Sequence, residues 1–119
     1  MESLKKSEAF KKVYNNKRSV SNRLLVLYIL RNDQEINRVG ISISRKVGKA
    51  VTRNRIKRLI KEYMRLNEEK MKVGYDLVVV VRAAAAEADF REISESLSDL
   101  LDKQRIMKQR EAKESKAHG

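Results

Sequence analysis

Between Arg45 and Arg65 the chain reads RKVGKAVTRNRIKRLIKEYMR, where Arg53, Arg55, Lys57, Arg58, Lys61 and Arg65 are set against a single acid, Glu62. Cations so poorly supplied with counter-charges suit the neutralisation of phosphates, each contact releasing condensed counterions. A second group able to do chemistry is aromatic: Phe10, Tyr14 and Tyr28 are three of only six aromatic side chains. Such rings stack unpaired bases at roughly 1 to 3 kcal/mol each without demanding a sequence. They serve equally well as core residues joining a helix to a sheet, and the sequence leaves both roles open.

Acid–base, nucleophilic and metal chemistry find little support. There is no cysteine, and the one histidine, His118, is the penultimate residue of a polar tail. No nucleophile has a histidine partner, and no pair of acids falls in a segment resembling a pocket. The turn Val47-Gly48-Lys49 lacks the glycine spacing and the Lys-Ser/Thr ending of a P-loop. A helix beginning there still offers free N-terminal amides to a phosphate.

The charge is concentrated as well as large. Residues 1–65 hold 18 Lys and Arg against 5 Asp and Glu, whereas residues 66–119 hold 10 against 11. Solubility alone does not require the whole net charge of +12 to sit in one half, so the asymmetry points to nucleic acid. A chain of 119 residues is one domain, able to bury roughly two-thirds of its unfolded surface without disulfide staples. The longest apolar stretch, Leu24 to Leu30, is too short to cross a bilayer, and no signal-peptide core follows Met1. A soluble, intracellular protein is expected.

Hydrophobic period divides the chain into the elements that must position these residues. Ser7 is expected to cap a short helix carrying Phe10, Val13 and Tyr14 on one stripe and stopping at Asn15-Asn16. Residues 23–31, RLLVLYILR, read as a strand covered on both faces, and the polar run Asn32–Asn37 as a hairpin connection. Val39, Ile41 and Ile43 alternate with Gly40, Ser42 and Ser44, the pattern of a half-exposed strand with a small-residue face. After Gly48 the period becomes helical, with Ile56, Leu59, Ile60, Tyr63 and Met64 facing a core. Asn54, Arg58, Lys61 and Arg65 then lie opposite, with Arg55 beside them. Residues 75–82, YDLVVVVR, form a third strand that pairs with one of the first two. Phe90, Ile93, Leu97, Leu100 and Leu101 mark a last helix. Beyond Gln104 a charged tail extends that helix or is disordered. The expected fold is a small α+β sandwich with a single sheet, ordered helix-strand-strand-helix-strand-helix. If the third strand is parallel to its neighbour, the basic helix is the crossover, and right-handedness is the usual rule.

Taken together, LKKSEAFKKVY at 4–14, RLLVLYIL at 23–30, RVGISISRKVGKAVTRNRIKRLIKEYMR at 38–65 and YDLVVVVR at 75–82 resemble the bacterial ribonuclease P protein subunit. The likeness runs in order over residues 4–103, within one expected RNA-binding domain of residues 1–103 that is followed by the charged tail at 104–119, and RNRIKR is its most specific part. It implies a cytoplasmic subunit of a ribonucleoprotein endoribonuclease that removes the 5′ leader from precursor tRNA. Chemistry in that family belongs to a catalytic RNA holding the Mg2+ ions, with no catalytic or metal-holding side chain supplied by the protein. The resemblance further implies a left-handed βαβ crossover and a protein that is monomeric when free, without membrane association. Lys49, Arg53, Asn54, Arg55, Lys57, Arg58, Lys61 and Arg65 become candidates for the catalytic RNA. Phe10, Tyr14, Tyr28, Ser42, Ser44, Arg45 and Lys46 become candidates for the leader, Tyr14 standing where many relatives have phenylalanine. A structural ribosomal RNA-binding protein is the rival reading. A major-groove DNA reader ranks lower, because the basic helix has few short polar side chains for base edges.

Overall fold

The computed structural model describes residues 1–108. The elements follow as β1 (Glu2–Ser3), α1 (Ser7–Asn15), β2 (Ser19–Ser21), β3 (Leu25–Arg31), β4 (Arg38–Ser42), α2 (Ala50–Asn67), β5 (Tyr75–Val81) and α3 (Phe90–Lys103). One sheet of order β1-β4-β5-β3-β2 results, with helices on both faces. This is the single-sheet α+β architecture read from the sequence. The edge strands β1 and β2 carry no sequence signal, since two and three residues are too few to show alternation.

The valine-rich β5 organises the sheet because it is apolar on both faces. Leu77, Val79 and Val81 enter the larger core with α2 and α3, while Val78 and Val80 face α1. Such a strand belongs in the interior, and β5 runs antiparallel to β3 on one side and parallel to β4 on the other. The expected hairpin between β3 and β4 is therefore wrong: they flank β5 and do not pair. Residues 32–37 instead arch over the start of β5, where Asn32 N donates to Gly74 O at 2.8 Å and Tyr75 N donates to Asn37 Oδ1 at 2.9 Å. The basic helix is the parallel crossover from β4 to β5.

Three other expectations are corrected by packing. On β3, Leu25, Leu27 and Ile29 are buried, but Val26, Tyr28 and Leu30 remain half-buried, because the nine-residue α1 cannot cover the whole opposite face. Ser7 is not the cap of α1; Lys6 holds that place and no side chain caps the helix, which does end at Asn15. Phe90 lies outside the α3 core stripe and is 37% exposed in the first turn. Ser96 takes a buried position instead, its hydroxyl donating to Asn22 Oδ1 at 2.8 Å.

The chain does not continue as helix after Lys103. Gln104 is buried and donates to Leu27 O at 3.1 Å, Arg105 takes a φ of 60°, and Ile106 is fully buried. Met107 then bridges to Met71. The start of the expected tail is thus core, and residues 109–119 lie outside the described residues. No helix among the described residues is long and apolar enough to cross a membrane.

Candidate nucleic-acid interface

Gly48 launches the basic helix. Its φ of 153° and ψ of −173° fall in a region essentially restricted to glycine, and a Cβ there would lie 3.1 Å from the Thr52 side chain. No side chain caps α2 at Lys49, and no acid occupies the first turn. Helix dipole and unpaired amides therefore add to the positive field of the side chains. Ile56, Ile60, Tyr63 and Met64 are buried on the opposite face and Leu59 half-buried, so the cations are held outward by packing. Burial of each of the two isoleucines contributes about 1.5 to 3 kcal/mol.

The cations divide into free and committed groups. Asn54, Lys57, Arg58 and Lys61 are exposed, and none of these three cations forms an ion pair among the described residues. Arg65 is exposed but held by Glu62, with Nε and Nη2 donating to the carboxylate at 2.9 and 2.8 Å. Those hydrogen bonds keep the Glu62 carboxyl below its ordinary range, so it is charged at neutral pH. Arg53 is half-buried and folds back, donating from Nε to Gly48 O at 3.2 Å.

Arg55 departs most from the sequence reading. Rather than lying beside the exposed cations, its guanidinium donates to Ala88 O at 2.8 Å and Ala86 O at 2.6 Å. It ties the start of α2 to the turn that precedes α3. Two charge-assisted bonds to backbone carbonyls define a clamp, leaving Arg55 half-buried.

The aromatic candidates meet on the other face of the sheet. Phe10 rests on Gly40, and Tyr14 meets Tyr28 edge to face, with ring centroids 4.9 Å apart at 87°. All three rings are half-buried, joining Leu4, Val13 and Val78 in a small core. Beside them the register aligns Ser42 with Val80 and Val80 with Val26, all half-exposed, with Ser21 at the end of the row. Ser44, Arg45 and Lys46 are exposed at the adjoining turn, and Arg82 stands at the end of β5. Of the residues assigned to the leader, Phe10, Tyr14, Tyr28 and Ser42 are therefore brought to one face of the sheet, with Ser44, Arg45 and Lys46 in the turn that follows β4. Val80 and Val26 were missed, because a valine in an all-apolar run gives no sign that its covering helix is short.

A separate cleft of about 420 Å³ opens at the β4 edge between α1 and α2. It brings Phe10 within the same cavity as Lys57, Lys61 and Arg65, which the sequence had assigned to different surfaces. Lys5 also lines it and carried no signal beyond its charge. Among the described residues no three His, Cys, Asp or Glu come together. The buried carboxylate Asp76 is itself engaged, accepting from Arg38 at 2.8 and 2.7 Å and from Asn32 at 2.9 Å.

Fold and surface together define a class: a small α+β protein whose crossover helix carries a row of exposed cations that, among the described residues, form no ion pairs. Within that class the family is specific. The family model for ribonuclease P matches residues 1–105, and the chain belongs to the ribonuclease P protein family. The ribonuclease P protein component of Clostridioides difficile (strain 630) is 52% identical over 99 residues, covering 82% of this chain and 87% of that protein. That of Clostridium botulinum (strain Loch Maree / Type A3) is 54% identical over 101 residues, covering 84% and 91%. The RNase P protein of Staphylococcus aureus superposes with a TM-score of 0.84 at 32% identity, covering 90% of this chain and 98% of that one. The protein from Thermotoga maritima gives 0.79 at 32% identity, covering 89% and 98%.

Proposed function

We propose that this chain is the protein subunit of a ribonuclease P, binding a catalytic RNA and the 5′ leader of precursor tRNA to promote endonucleolytic removal of that leader. The observation that carries the reading is the exposed arc of Asn54, Lys57, Arg58 and Lys61 on α2, in a chain of this family. Lys49 and the uncapped helix start extend the arc toward phosphate. Arg53 and Arg55 support it from behind, by fixing how the helix leaves Gly48 and where it sits against α3.

The leader lies across the half-open sheet face, over Val80 and Val26. Tyr14, Tyr28 and Phe10 form its aromatic wall, and Ser42, Ser44, Arg45 and Lys46 its polar margin. Half-buried rings meet both demands left open by the sequence: their inner edges pack into the core and their outer surfaces remain for unpaired bases. The protein acts by binding and positioning, and the Mg2+ ions that drive hydrolysis are held by the RNA.

Reconstitution tests this directly. The chain combined with its cognate catalytic RNA at low magnesium should cleave precursor tRNA faster than the RNA alone. Absence of stimulation, with the chain folded, would overturn the reading.

A further inference from the structure

β1 protects only the beginning of the β4 edge. It pairs Glu2 with Arg38 and Ser3 with Val39, its last bond running from Leu4 N to Val39 O, before the chain turns away into α1. Backbone groups on a strand alternate between its two edges, so those of Ile41 come next on this side. Among the described residues no further bond from the β1 segment reaches them. The cleft of about 420 Å³ lies at this gap, a size suited to one small planar ligand.

Its walls differ in chemistry. Val39, Ile41 and Met64 supply an apolar floor and Phe10 an aromatic side. On the opposite rim Lys57, Lys61 and Arg65 recur every four residues of α2, which places them about 6 Å apart along the helix axis. That is the scale of successive phosphates along a nucleic-acid strand. Glu68 is the one acid of the lining, and its carboxylate is already taken by the Met1 ammonium at 2.7 Å.

We infer that this cleft receives a single unpaired nucleotide of the catalytic RNA, its base on the floor beside Phe10 and its flanking phosphates on Lys57, Lys61 and Arg65. The inference rests on the reading of the protein as a ribonuclease P subunit. The RNA subunit is favoured over the leader because the rim is built from the exposed face of α2. A peptide strand fits less well, since only one residue's edge groups are open while the rim is a row of charges.

The absence of cysteine allows a direct test. A single-cysteine variant, Lys5→Cys, carrying an aryl azide at the cleft mouth, is assembled with the cognate catalytic RNA and precursor tRNA. Cross-links should map to one or two adjacent unpaired nucleotides of the catalytic RNA. Filling the floor with Ile41→Trp in the same chain should abolish them. Ile41→Trp alone should weaken binding of the RNA by about fivefold to a hundredfold, the range for losing one stacked base. Cross-links to paired helices, to the leader or to a second copy of the protein would overturn the assignment. So would the absence of cross-links in an assembled holoenzyme. The labelling arm leaves the floor unaltered and decides the matter even where Ile41→Trp fails to fold. If the unmodified chain neither binds the RNA nor stimulates cleavage, the functional reading falls as well; normal stimulation without these cross-links removes the cleft assignment alone.

Discussion

Phe10 rests on Gly40 so closely that a Cβ at position 40 would lie 2.4 Å from the ring's Cζ and 2.8 Å from Cε2. Glycine at this place is a matter of approach rather than of backbone angle. It lets α1 settle on β4 and puts the Phe10 ring between the sheet and the edge cleft. Gly40→Ala should displace the ring and cost about 1 to 3 kcal/mol, as overpacking does. The check is the urea midpoint: an unchanged midpoint with an unchanged slope would show that the ring yields freely.

The Tyr14–Tyr28 contact separates stacking from packing. An edge-to-face pair contributes roughly 0.5 to 1.5 kcal/mol beyond its area, and Tyr14→Phe keeps the geometry that produces it. That variant should retain both stability and preference for precursor over mature tRNA. Tyr14→Ala should reduce affinity for the precursor by about fivefold to a hundredfold, with little change for mature tRNA. Equal loss for the two substrates would make Tyr14 a core residue only.

Arg55 and Arg58 are three residues apart in one basic motif but do different work. Arg58→Gln removes an exposed cation, and should lower the slope of log affinity against log salt for the catalytic RNA by roughly 0.7 to 0.9. Arg55→Gln breaks the bonds to Ala86 O and Ala88 O. It should leave the slope near wild type while destabilising the fold, each charge-assisted bond contributing about 1.5 to 3 kcal/mol. A full drop in slope for Arg55→Gln, with no loss of stability, would return it to the phosphate-binding set.

These contrasts show what was legible in the sequence. Period separated Ile56, Ile60, Tyr63 and Met64 from the exposed cations because burial of α2 is set by its own residues. That the third strand pairs with an earlier one was legible, but its insertion between β3 and β4 was not, since that depends on a long-range competition that the apolar Val78–Val81 run wins. Arg55 looked like its neighbours because its partners are backbone carbonyls more than 30 positions away, and carbonyls carry no residue identity. The edge cleft was hidden for a related reason: it exists where β1 stops, and a two-residue strand leaves no pattern.

Glu62 is the last charge to be accounted for. Its carboxylate occupies Arg65 through two hydrogen bonds one helical turn away, on the exposed face of α2. The pair is exposed, so its contribution to stability is small, and it is intact wherever Glu62 is ionised. The lowered carboxyl value means that pairing is fully present above the ordinary carboxylate range and is lost only as pH falls below it. At neutral pH an approaching phosphate must therefore compete with Glu62 for Arg65. Glu62→Gln should tighten binding of the catalytic RNA at low salt and steepen the salt slope by up to about 0.7 to 0.9, one additional phosphate contact. Adding Arg65→Gln should erase that gain. If Glu62→Gln leaves both affinity and slope unchanged, and Arg65→Gln does so too, Arg65 does not reach the RNA and the phosphate-binding row on α2 ends at Lys61.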